Sequence, residues 1–138
     1  MSIGYYIDAD LLGLAKLLVS VRTDVTYAGD PGGIGIDGKA RSACEILPSA
    51  KDVEWIPVVA SAEWIVISRD RHLQSRPSEL AAIKSSHIKV ITLDGRKQLN
   101  RWLQLEIVVS QWRDIEALRP LPGPWVYVAS RTGLRKAI

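Results

Sequence analysis

A single cysteine, Cys44, stands among 138 residues, and phenylalanine is absent. One thiol excludes an intrachain disulfide and a thiolate metal cage, and it fits a reducing compartment. No run of about 18 apolar residues occurs, so no segment is expected to span a membrane. The N-terminus has no basic stretch, and Asp8, Asp10 and Lys16 interrupt its apolar residues. It is therefore not expected to be a secretory signal, and a cytoplasmic location follows as the expectation. What is present is ordinary for a globular chain: 47% of residues are apolar and 24% are charged. That length and balance predict one domain over residues 1–138 with a substantial core. The formal charge of +3 favours anionic partners without naming them.

Apolar periodicity alternates between strand and helix from end to end. Ile3 to Ile7 reads as a strand; Leu11, Leu14, Ala15, Leu18 and Val19 fall at helical spacing. Val25 to Ala28 is a short second strand. The glycine- and aspartate-rich stretch 29–49 is hard to assign, with a helical turn or more read over Ala40 to Leu47. Val53, Ile56, Val59 and Ala60 mark a second helix, kinked or delayed by Pro57. Further strands are predicted at Trp64 to Ile67 and Ile88 to Leu93. A short helix opens on Pro77, and a long one runs from Leu99 to Trp112. Beyond the proline-rich connector 119–124 come a last strand, Trp125 to Ala129, read as an edge, and a basic tail, 131–138. This order predicts an α/β fold: one three-layer domain with a central, mostly parallel sheet.

Carboxylates gather at predicted strand ends. Asp8 and Asp10 follow the first strand, Asp70 follows Trp64 to Ile67, and Asp94 follows Ile88 to Leu93. In a parallel sheet these ends share one edge, with neighbouring strands about 4.8 Å apart, and that edge is where ligands bind in open α/β folds. Asp52, at a helix start, would reach the same edge. Carboxylates crowded together repel and raise each other's pKa, and a hard divalent cation with oxygen ligands resolves that conflict. Taken singly, each aspartate also fits a helix N-cap. Ser49 and Asp52 have capping-box-like spacing, and Asp94-Gly95 is a turn signal.

On Tyr6-Ile7-Asp8-Ala9-Asp10-Leu11, Asp52-Val53-Glu54-Trp55-Ile56 through Ala60, and Ile65-Val66-Ile67-Ser68-Arg69-Asp70-Arg71-His72-Leu73, the chain resembles the PIN-domain ribonucleases. It is most similar to a compact PIN-like variant and to the toxins of VapBC-type toxin–antitoxin pairs. The resemblance covers roughly residues 3 to 95, and the third motif is its most specific part. It implies a metal-dependent endoribonuclease, the toxin of a type II pair, using Mg²⁺ or Mn²⁺. Asp8, Asp52 and Asp70 would be the catalytic acids, and Asp8, Asp10, Asp52 and Asp70 the metal ligands. Glu54 competes with Asp52, because many PIN domains use glutamate there. Ser68, Arg69 and Arg71 would bind substrate phosphate, arginine forks suiting that geometry. RNA is the implied substrate and an antitoxin the implied partner. A homodimer is also implied, with Trp112, Trp125 and Leu134 as candidate interface residues. Basic residues from Arg71 to Arg101, with Lys84 and Lys89 among them, are candidates for screening an RNA backbone.

Two other readings remain open. Asp8-Ala9-Asp10 also resembles the first motif of haloacid-dehalogenase-type phosphatases. In that reading Asp8 is the nucleophile, Asp10 the acid/base, and Ser68 or Thr92 the second motif, but no later acidic pair follows. A PIN-like scaffold that binds RNA or a partner without cutting is the non-enzymatic reading. The pattern Gly33-Ile34-Gly35-Ile36-Asp37-Gly38 spells a dinucleotide-binding fingerprint but lies in a loop after the second strand, so it is read as a loop beside the site.

Overall fold

Both faces of the central strands are apolar, which is the mark of a sheet covered on two sides. Tyr5, Tyr6 and Ile7 are consecutive and all buried, as are Ile65, Val66 and Ile67. The computed structural model describes residues 2–69, 77–94 and 99–138. Its elements are β1 (Tyr5–Ile7), α1 (Leu12–Val19), β2 (Val25–Tyr27), β3 (Gly33–Ile34), β4 (Ala40–Arg41), α2 (Asp52–Ser61) and β5 (Ile65–Ser68). They continue with α3 (Pro77–Ser86), β6 (Lys89–Leu93), α4 (Arg101–Ala117), β7 (Trp125–Ser130) and β8 (Gly133–Lys136). Six strands form one sheet in the order β2-β1-β5-β6-β7-β8. All neighbours are parallel except β7 and β8.

Alternation along each strand sorts the core into two layers. Tyr5, Ile7, Ile65, Ile67, Ile91 and Leu93 face α1 and α4, against Leu14, Leu18, Ile107 and Ile115. Tyr6, Val66, Val90 and Val126 face the other way, against Val59 of α2 and Ile83 of α3. This is the mostly parallel, three-layer α/β arrangement that the alternation predicts. Among the described residues, no helix is long and apolar enough to cross a membrane.

Helix ends follow local chemistry. The Asn100 side chain accepts from Leu103 N at 2.8 Å and caps α4. At the end of α2, Trp64 N donates to Val59 O and Glu63 N to Ala60 O, both at 3.1 Å, the paired bonds of a Schellman stop. Glu63 takes the left-handed position usually given to glycine, at φ 59°. Pro57 lies inside α2, which continues through it. The carbonyl deprived of its usual donor belongs to Val53, a residue 80% exposed. The helix is capped by Glu54, whose carboxylate accepts from Lys51 N at 3.4 Å, rather than by a Ser49–Asp52 pair.

Three expectations are corrected. The basic tail is not a tail: Gly133–Lys136 turns back as β8, so β7 is interior and β8 is the edge. The helical turn expected over Ala40 to Leu47 is absent. Ala40–Arg41 pairs instead with Gly33–Ile34 in a small antiparallel hairpin. Lys39 follows Gly38 as a lysine does in phosphate-binding loops, yet this segment opens no helix and is no such cradle. Finally, Trp125 is buried at 2% exposure, and Trp112 and Leu134 pack partly buried against the same core. Trp112 lies against Tyr5, with Arg22 over its ring. Trp125 is therefore a core side chain rather than a surface, while Trp112 and Leu134 pack on the fold and keep part of their surface exposed.

Candidate active site at the sheet's carboxyl edge

Strand order fixes where a ligand can enter. From β1 the chain moves outward to β2, then returns and builds β5, β6 and β7 on the opposite side of β1. The order therefore reverses between β1 and β5, and at such a switch point the connections diverge and leave a crevice beyond the carboxyl ends. Asp8 follows β1 there, and Ser68 ends β5. The two meet: Ser68 Oγ donates to Asp8 Oδ2 at 3.2 Å. The other carboxylate oxygen accepts from Ala9 N at 2.7 Å, at the start of a 3₁₀ turn over Ala9–Leu11. Asp8 N also donates to Ile67 O at 2.9 Å, extending the β1–β5 ladder by one residue. The carboxylate is thus oriented from two sides at the end of a buried strand.

Beneath it lies Tyr6. Burial, with the negative charge of Asp8 nearby, holds the phenol well above its ordinary pKa, so it stays neutral at any working pH. Tyr6 stacks on Trp55 at 5.5 Å and on Trp64 at 6.4 Å, closing the floor on the α2 side. One strand beyond Ser68, in direct register, is Thr92. Its side chain is 4% exposed, and among the described residues its hydroxyl has no hydrogen-bond partner. Asp8, Ser68 and Thr92 therefore form a row of oxygens across three adjacent strands on the α2/α3 face.

The remaining expected residues are placed as follows. Asp10 is exposed in the 3₁₀ turn, two residues beyond the Asp8 cap. Asp52 is exposed at the start of α2, and its carboxylate accepts from the Trp55 indole at 3.1 Å. Glu54 is engaged as the α2 cap. Arg69 is half-buried directly after β5, and Asp94 follows β6, its N donating to Ala129 O at 2.8 Å. Asp70, Arg71 and His72 lie outside the described residues. Among the described residues no three acidic, histidine or cysteine side chains stand close enough to hold a metal ion. Asp8 and Ser68 are brought together; Asp52 is not gathered with them into such a group. What the edge offers is hard oxygen donors, the ligand type of Mg²⁺ and Mn²⁺. Lys89 does not belong to an RNA-facing set: it begins β6 at the opposite edge, buried, with Nζ donating to Arg119 O at 2.7 Å.

Sequence reasoning missed the cavity beside Asp8. It has a volume of about 450 Å³, with Asp8, Leu12, Lys16, Tyr27, Pro31 and Pro48 among its lining residues. Leu12 and Lys16 are one helical turn apart, a spacing visible in the sequence once the helix start is known. The far wall belongs to the chain after β2, and a buried ion pair fixes it. Asp30, 1% exposed, accepts two bonds from the Arg41 guanidinium, one from Thr26 Oγ1 at 3.0 Å and one from Gly32 N at 2.9 Å. Burial pushes the Asp30 carboxyl upward, but these bonds and the Arg41 charge outweigh it and hold its pKa below the usual range. Main-chain bonds from Gly29 N to Ile46 O and from Cys44 N to Asp30 O tie the two ends of this excursion, each at 2.9 Å.

A family model described as a PIN like domain matches residues 39–95. The match runs from the end of the hairpin through α2, β5, α3 and β6 and supports a PIN-like domain. No curated protein and no solved structure matches the chain.

Proposed function

We propose that this chain is a metal-dependent endoribonuclease that hydrolyses RNA phosphodiester bonds. The observation that carries the reading is the Asp8–Ser68 pair at the switch point of a PIN-like sheet. PIN-like domains are commonly nucleases, and a carboxylate fixed at this edge is the starting point of a hard-cation site.

Asp8 would be the central ligand, with Asp10, Asp52 and Asp70 completing the acidic set. Asp70 follows Ser68 and Arg69 directly in the chain. When bound, Mg²⁺ or Mn²⁺ supplies polarisation of a phosphoryl oxygen and a more acidic bound water. The chain's own groups do the rest. The Ser68 hydroxyl and Ala9 N–H hold the Asp8 carboxylate in one orientation. Arg69 and Arg71 would grip non-bridging phosphate oxygens. Neutral Tyr6 and the Trp55 indole beneath the site limit water on one side. Within the same reading, the chain is the toxin of a type II toxin–antitoxin pair. It would act on cytoplasmic RNA, pair with a cognate antitoxin and form a homodimer. These roles rest on the resemblance of the motifs.

The test is digestion of a mixed RNA substrate with Mn²⁺, with EDTA and with Asp8→Asn. Cleavage is expected only with the wild-type chain and metal. Cleavage in EDTA, or full activity in Asp8→Asn, refutes the assignment. Phosphate release from a small monoester would instead favour the phosphatase reading.

A further inference from the structure

We propose that the cavity beside Asp8 is a nucleoside subsite, which takes one unpaired RNA nucleoside flanking the scissile phosphate. The proposal rests on the nuclease reading of Asp8 and adds to it a position of base dependence next to the cut.

The cavity shares Asp8 with the site, so an occupant lies next to whatever phosphate Asp8 serves. Its volume, about 450 Å³, falls in the range of ligand pockets, about 300–1,000 Å³. Its walls are largely apolar: Leu12, 44% exposed, on one side, Tyr27 and Ala28 at the back, Pro31 and Pro48 opposite. Apolar walls around a slot of this size suit a nucleobase, whose two faces are apolar whatever its identity. One cation, Lys16, stands among the lining residues and suits the phosphate of the next nucleotide. A sugar–phosphate chain therefore finds its three chemistries side by side: oxygen ligands for the reacting phosphate, an apolar slot for the base, and a charge for the backbone.

The slot is built before a ligand arrives. The Asp30–Arg41 ion pair is buried, and it fastens the segment carrying Pro31 to β2. Pro48 is seated against Gly29, where φ is +81° and a Cβ would lie 2.7 Å from the proline Cγ. A side chain at position 29 would thus push Pro48 out of the wall. A wall ordered in advance spares the cost of ordering it on binding. A base held in a duplex must first unpair and unstack to enter such a slot, so an unpaired base is favoured.

An abasic scan tests this directly. Unstructured pentaribonucleotides, each lacking one base, are titrated by fluorescence anisotropy in Ca²⁺ and digested in Mn²⁺. Removal of the base at one position next to the cut is expected to weaken binding about tenfold, with less than about twofold change elsewhere. Leu12→Trp fills the cavity from its exposed mouth without entering the core. It is expected to bring intact RNA down to the abasic level and to abolish the position dependence, with an unchanged melting temperature. Lys16→Gln is expected to weaken every oligonucleotide alike and to keep the position dependence. Equal effects of base removal at all positions, or position dependence that survives in Leu12→Trp, overturns the subsite. RNA cleavage then persists and the nuclease reading stands. Position-dependent binding without any Mn²⁺-dependent cleavage has the opposite meaning: the cavity holds a nucleoside and the nuclease reading fails.

Discussion

Replacing Arg41 by methionine isolates the device that shapes the wall of the cavity. The stem keeps most of its volume, while the guanidinium and its bonds to Asp30 and to Val25 O are lost. Asp30 is left 1% exposed with only the Thr26 hydroxyl and the Gly32 N–H as donors. Removing one partner of a buried pair strands the other charge, which costs about 3–5 kcal/mol. Against a domain stability of about 5–15 kcal/mol, that is a large fraction. Urea denaturation at pH 7 measures it.

The pH dependence carries a second, sharper signature. In the wild type the Asp30 carboxyl is held below 3.8, so its contribution is present above the unfolded pKa and is lost as pH falls through the folded value. In Arg41→Met the upward push of burial faces only the Gly32 and Thr26 bonds, and the folded pKa is expected to rise above the unfolded one. The folded state then binds the proton more tightly, and stability rises as pH falls toward the unfolded value. The deficit of the variant should therefore shrink on acidification from pH 7 toward about 4.5. A loss below about 1 kcal/mol at pH 7, or a deficit constant across that window, would refute the account of Asp30 as a buried charge held by Arg41.

Thr92→Val removes a buried hydroxyl that has no partner among the described residues, and is expected to raise stability by about 1 kcal/mol, read by thermal denaturation. A loss of stability would mean that the hydroxyl is satisfied in solution. Asn100→Ala removes the bond to Leu103 N and is expected to cost about 1 kcal/mol, or roughly 4 °C in melting temperature for a chain of this size. An unchanged melt would show that Leu103 N finds another acceptor.

Periodicity accounts for what the sequence made legible and for what it hid. Strands buried on both faces announce themselves as apolar runs, which is why the β1, β5, β6 and β7 regions were readable. The helices between them carried the 3.6-residue repeat, and their alternation with the strands led to the parallel sheet and to its carboxyl edge. Asp8 became a candidate because it ends such a run and Ser68 through the motif resemblance, and their hydrogen bond joins residues 60 apart through nothing but sheet topology. The hairpin of Gly33–Ile34 and Ala40–Arg41 has no such repeat. Each of its strands holds two residues, too few to show a period, and its side chains are exposed or half-buried. β8 was hidden for a related reason. It is an edge strand with basic residues, Arg135 and Lys136, which are the charges that discourage further pairing.

The same logic explains why the cavity escaped notice while the carboxylates did not. A carboxylate at a strand end is a local signal, fixed by the few residues before it. A cavity wall is a relation between segments, and here the relation depends on Asp30 and Arg41, eleven residues apart across irregular chain. Neither residue is informative alone, since a solvated aspartate and a solvated arginine are the ordinary expectation for a loop rich in glycine. Their burial follows from Val25, Thr26 and Tyr27, which draw the start of the excursion into the sheet and leave Asp30 beneath it. A buried carboxylate must then find a cation, and Arg41 is the one that meets it. Charge compensation under the loop thus sets the shape of the surface above it. It follows that changes to Arg41 should alter the cavity wall on the Pro31 side while leaving Asp8, pinned by Ser68 of the neighbouring strand and by Ala9 N of the turn that follows it, where it is.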